Sequence, residues 1–161
     1  MTEEEAKNDL EIKNSMPTIT LYQPWATWII RGWKPIETRT HNRFMCLKGK
    51  WILIHAGKTT DANAINNPYL SKDQLAQSPE EIINGYILGA AFVSDFKALD
   101  KRHSKDALID CGNVQRFGLF LNNVYRLMEP IPVLGEMGVW YFNLETKQKV
   151  KKPKSKSLLL F

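Results

Sequence analysis

Short apolar runs, each soon stopped by a glycine or a proline, limit what this chain can fold into. Ile19–Tyr22 ends at Pro24, Lys50–His55 opens after Gly49, Tyr86–Phe96 follows Gly85, and Phe117–Leu127 runs toward Pro130 and Pro132. Runs of roughly four to eight residues suit strands, and the β-branched and aromatic residues that fill these suit a pleated surface. Pro35–Thr40 reads as one more extended segment, with Ile36 and Thr38 alternating against Glu37 and Arg39. Val133–Leu144 carries Gly135, Gly138 and Trp140 before a final strand, and Glu129–Pro132 is expected to break the strand preceding it. No internal repeat stands out. The expectation is an α+β chain, a small mixed β-barrel of about five or six strands with a few short helices.

The helical signals are brief. Trp25, Trp28 and Ile29 recur at i, i+3 and i+4 behind Pro24, which suits a first helical turn because its missing N–H is not needed there. Gly32 stands where a left-handed cap would close that helix. Ala62–Ile65 reads as a helical turn, while Ser71 with Gln74 and Ser78 with Glu81 resemble capping boxes, the second leading to Ile82 and Ile83. Lys97–Asn113 is polar and reads as a loop. Gly89-Ala90-Ala91 inside an apolar strand marks a place where another backbone approaches closely.

Length and charge narrow the function classes. The 161 residues fit one domain, and 43% hydrophobic content is enough for a real core. Three parts are expected: a mobile arm at 1–15, the folded domain at 16–146, and a basic tail with an apolar end at 147–161. No apolar run reaches the roughly 18 residues a membrane span needs. The first fifteen residues are acidic and polar, unlike a signal peptide, so a cytoplasmic protein without membrane partners is expected. Cys46 and Cys111 form no CxxC pair and the three histidines are scattered, so no metal site and no cofactor is expected. The net charge of +5 is uneven, with Lys147, Lys149, Lys151, Lys152, Lys154 and Lys156 clustered without an acid among them. Such a cluster attracts phosphates, or it is a solvated tail; composition alone leaves both open.

Two linked motifs carry a family resemblance. Leu21-Tyr22-Gln23-Pro24-Trp25-Ala26 leads into Gly32-Trp33-Lys34-Pro35-Ile36-Glu37-Thr38-Arg39. The second resembles the hallmark of the ASCH domain, a glycine followed by Lys-x-x-Glu-x-Arg, and Gln-Pro-Trp is typical of one branch of that family. Ile54-His55-Ala56, Phe117-Gly118 and Pro130-Ile131-Pro132 with Gly135, Gly138 and Trp140 agree with it, so the resemblance covers roughly 16–144. It implies a PUA-like barrel and a cleft beside the Gln-Pro-Trp helix. It also implies a ligand that is RNA or a modified nucleoside.

The candidate binding residues are Gln23, Trp25, Lys34, Glu37, Arg39 and His55. In an extended segment Glu37 and Arg39 point to the same side, and an opposite-charge pair orients the carboxylate. Lys34, just past the glycine turn, is expected to reach the same cleft. Together a carboxylate, a guanidinium and a cation can read a polar base edge or a phosphate. Trp25 offers a stacking face, worth about 1–3 kcal/mol per base where used. The Gln23 amide offers donors and an acceptor beside a fixed backbone.

The alternative is a small metal-independent amidohydrolase acting on an acylated nucleobase such as N4-acetylcytidine, with Lys34 and Glu37 as its catalytic residues. The resemblance supports it only in part. The corresponding family enzymes are thought to use a lysine, a threonine three residues later and a distant glutamate. Lys34 matches the first, Glu37 stands where the threonine is expected, and Thr38 is one position displaced. A water activated by Glu37, with Lys34 polarising the carbonyl, would be a different mechanism.

Overall fold

The structure is a computed structural model and describes residues 14–76 and 81–153. The elements in chain order are β1 (Met16–Gln23), α1 (Trp25–Ile30), β2 (Ile36–Arg39), β3 (Trp51–Thr60), α2 (Lys72–Leu75), β4 (Tyr86–Ala98), α3 (Ser104–Ala107), β5 (Phe117–Pro132), β6 (Trp140–Asn143) and β7 (Gln148–Val150), with 3₁₀ turns at Arg43–Leu47, Ala62–Asn66 and Lys101–His103. The strands form one mixed sheet in the order β2-β5-β4-β3-β1-β6-β7. β1 runs parallel to β3, and the other pairings are antiparallel. The α+β class expected from the sequence is the one observed. Among the described residues there are seven strands rather than five or six, and β2 and β7 each have a neighbour on one side only, so the hydrogen-bonded ladder is not closed.

Strand alternation sorts the core into two faces. Ile19 and Leu21 of β1, Ile52 and Ile54 of β3, Ala91 and Val93 of β4 and Leu119 and Leu121 of β5 pack with Ala26 and Ile29 of α1. Leu53, Ile87, Ala90, Trp140 and Phe142 fill the opposite face. Each fully buried side chain of this size contributes about 1.5–3 kcal/mol of transfer free energy. Gly89 answers to the close approach expected of it, since a Cβ there would lie 2.0 Å from the Tyr125 carbonyl oxygen.

The helix behind Gln-Pro-Trp forms as expected. Pro24 caps α1 after a cis Gln23–Pro24 peptide, and Gly32 takes the left-handed conformation at φ +79°. Two expectations do not hold. Glu129–Pro132 does not end β5, which continues to Pro132 with Ile131 opposite Ile87. β2 pairs only with Phe117–Phe120, so the far end of β5 is an edge on that side, where a proline leaves no ladder bond unmade. The Lys97–Asn113 stretch is not wholly a loop. Asp100 accepts a hydrogen bond from Arg102 N at 2.9 Å and starts a 3₁₀ turn that leads directly into α3. The capping box at Ser71–Gln74 is present, while Ser78–Glu80 lie outside the described residues, as do residues 1–13 and 154–161. β7 takes part of the lysine-rich stretch into the sheet.

Candidate binding cleft

A cleft of about 880 Å³ opens where β1, β2 and β3 meet the segment between β5 and β6, a size suited to a small-molecule ligand. Thr20, Tyr22 and Trp25 line it, as do Glu37 and Arg39 of β2 and His55, Gly57 and Lys58 of β3. His41, Arg43, Phe44 and the stretch Val133–Gly138 complete the wall. β2 and β1 lie four places apart in the sheet order, so the sheet curls to bring them to one site.

The pleat of β2 decides what faces the cleft. Ile36 turns toward Leu99, Ala107 and Cys111, leaving Glu37 and Arg39 to the cleft wall. Glu37 is 7% exposed. Its Oε1 lies 3.9 Å from Arg39 Nε, at the outer limit of an ion pair and beyond hydrogen-bond distance. Glu37 Oε2 and Arg39 Nε are both buried without a hydrogen-bond partner. Arg39 is held by its guanidinium lying 4.8 Å from the Phe44 ring centre, a cation–π contact that orients the group and leaves its Nε unpaired.

Lys34 is placed behind this pair. Its Nζ is buried and donates to Ile36 O at 2.8 Å and Ala107 O at 2.5 Å, and it is not among the residues lining the cleft. Burial lowers its pKa, while the neighbouring Glu37 charge acts in the opposite direction. Gln23 is likewise turned inward. Its Nε2 donates to Thr27 Oγ1 and to Ile83 O, both at 2.8 Å, and its Oε1 accepts from Thr27 N at 3.0 Å. Both amide hydrogens are thereby used, tying α1 to β1 and to the approach to β4.

Trp25 lines the cleft and is fixed through Nε1, which donates to Asp61 Oδ2 at 3.2 Å, and through an edge contact with Trp28. His55 also borders the cleft but is 1% exposed, with both ring nitrogens engaged. Burial lowers its pKa most, with the Lys149 charge acting the same way and the bond to Val133 opposing.

Sequence reasoning missed several of the lining residues. Thr20 and Tyr22 share a β1 face by period two, a signal available in the sequence. Met137 is 98% exposed between Gly135 and Gly138; a large apolar residue between two glycines was the available clue. Nothing in the local pattern marks Arg43 or Lys58, which the curl of the sheet brings in. Among the described residues no three His, Cys, Asp or Glu side chains converge as a metal ion requires, and no helix is long and apolar enough to cross a membrane.

No family model and no curated protein matches this sequence. Solved structures that resemble it include an ASCH protein from Zymomonas mobilis, 18% identical, with a TM-score of 0.44 over 74% of this chain and 73% of that one. Two mutants of a Zymomonas mobilis ASCH protein are 17% and 16% identical, with TM-scores of 0.49 and 0.48, covering 73% of this chain and 74% and 75% of theirs. All three are ASCH proteins, the family whose motifs the sequence resembles.

Proposed function

We propose that the cleft binds one nucleoside unit, free or within RNA, and recognises the polar edge of its base. The observation that carries this is the pair of buried, unpartnered atoms in one wall, Glu37 Oε2 and Arg39 Nε. A buried polar group without a partner costs about 1–3 kcal/mol, which a ligand that completes its hydrogen bonds returns. The complementary ligand presents an N–H donor beside an acceptor, as adenine does with N6–H and N7. The exposed side chains of Tyr22, Leu134 and Met137 border the same cleft and suit the apolar face of a planar base. Gln23 and Lys34 act through the backbone they hold, and Trp25 and His55 shape the wall.

Amide hydrolysis has less support. The Lys34 ammonium already donates to two carbonyls and does not line the cleft, so only Glu37 is left to act on a bound substrate.

Calorimetric titration with the four nucleosides and their 5′-monophosphates tests the binding reading. At least one should bind, and Glu37→Gln should weaken it about 10–100-fold, the range for a hydrogen bond to a charged group. Wild-type affinity in a Glu37→Gln/Arg39→Ala variant would remove the cleft from the account. Incubation with N4-acetylcytidine should yield no cytidine on chromatography.

A further inference from the structure

The cations around the cleft come from two parts of the fold. Arg43 and Lys58 line the cleft on the β2 and β3 side, and both are exposed. The second set is Lys149 of β7, on the opposite edge of the sheet from β2, with the lysines that flank this strand. Lys149 joins that edge to the cleft: its Nζ is 3.5 Å from Glu136 Oε1, in the cleft wall, and 5.3 Å from the Trp140 ring centre. Lys147, Lys151 and Lys152 stand exposed on either side of it, and among the described residues β7 pairs only with β6. A nucleoside monophosphate carries its phosphate on one side of the base. A residue within a chain carries one on each side and more beyond.

We infer that the cleft, Lys149 of β7 and the flanking Lys147, Lys151 and Lys152 form one continuous site for single-stranded nucleic acid, with one base in the cleft and the following phosphates along this run of lysines. This rests on the base-reading role proposed for Glu37. Glu136 has a positioning part, holding the Val133–Gly138 wall and the first lysine of the track together. The lysines, point charges on flexible stems, add affinity and length dependence and leave base choice to the cleft.

The test uses the full chain, a ten-nucleotide oligomer of the preferred base and the matching 5′-monophosphate, titrated across a range of salt. The wild type should bind the oligomer at least about tenfold more tightly. Replacing Lys147, Lys151 and Lys152 by Gln should remove most of that gain and lower the slope of log affinity against log salt by about 2, at ~0.7 per phosphate contact on a single strand. Monophosphate affinity should stay unchanged in this variant. Glu37→Gln should weaken both ligands. An oligomer that gains nothing over the monophosphate, or a gain that survives the triple replacement, overturns the inference. Oligomer binding that responds to the lysines but not to Glu37→Gln also overturns it, and the base-reading role then stands if that variant still weakens the monophosphate. A monophosphate that ignores Glu37→Gln overturns both.

Discussion

Thr20 donates its hydroxyl hydrogen to His55 Nδ1 across 3.1 Å. The direction follows from the neighbours together with the neutral state of the buried ring. Trp140 Nε1–H donates to Thr20 Oγ1 at 3.0 Å, and the Val133 carbonyl, 2.8 Å from His55 Nε2, can only accept. Burial disfavours the charged ring, so His55 is neutral at pH 7, and its one hydrogen sits on Nε2 facing the Val133 carbonyl, which leaves Nδ1 to accept from Thr20. The chain Trp140, Thr20, His55, Val133 links β6, β1 and β3 to the start of the cleft wall.

Acid should loosen this link. Burial holds the folded-state pKa of His55 below the ordinary 6.5, so over that interval the unfolded chain binds the extra proton. Stability from this group is complete above about pH 6.5 and declines as pH falls toward the folded-state pKa. Urea unfolding at pH 7.5 and 5.5 should show a lower midpoint at 5.5. His55→Gln should be less stable at both and lose part of the difference; identical pH dependence in the two proteins would disprove the assignment.

Lys34 is expected to act on stability more than on ligand contact. Lys34→Met keeps the stem but strips donors from the Ile36 and Ala107 carbonyls and removes the cation behind Glu37. A loss of about 2–4 kcal/mol should appear in denaturant unfolding. A change below about 0.5 kcal/mol would mean that water replaces the ammonium at both carbonyls.

The α+β class, the α1 turn and the inner strands were legible because their signals are local. Pro24 and Gly32 bracket one helix, and Ile52 and Ile54 alternate within one strand. That Glu37 and Arg39 share one face of β2 was legible by the same period-two rule. Lys34 was not, since whether its ammonium enters the cleft or turns back depends on Ala107, 73 positions away. Gln23 was misread as an available amide for the same reason, its second partner being Ile83. β7 was hidden by composition: lysines dominate the stretch, and only pairing with β6 makes three of its residues a strand.

Gly89 and Tyr125 set a limit on β4–β5 packing. A Cβ at 89 would stand 2.0 Å from a backbone oxygen, and neither strand can retreat without breaking its ladder. Gly89→Ala should cost about 3 kcal/mol or more, beyond the usual range for an added methyl in a packed core. A melting temperature within 2 °C of wild type, a criterion set against the roughly 2–4 °C per kcal/mol typical of a chain of this size, would show that the strands separate freely.

Gly135 and Gly138 separate two reasons for a glycine in one wall. At Gly135 an added Cβ meets His55 Cε1 and Thr20 Oγ1, each at 2.6 Å, with no unusual φ. At Gly138 it meets open space, but φ is +71°. Gly138→Ala should therefore cost about 1 kcal/mol through backbone strain alone and leave the cleft in place. Gly135→Ala pushes against the hydrogen-bonded Thr20 and His55 side chains, so its cost is expected at about 1–3 kcal/mol. The push falls on the wall itself, moving Leu134 and Met137 away from Tyr22. Ligand affinity should drop at least tenfold in Gly135→Ala and less than twofold in Gly138→Ala, at matched fractions of folded protein. Equal affinities in the two variants would show that the wall does not contact the ligand.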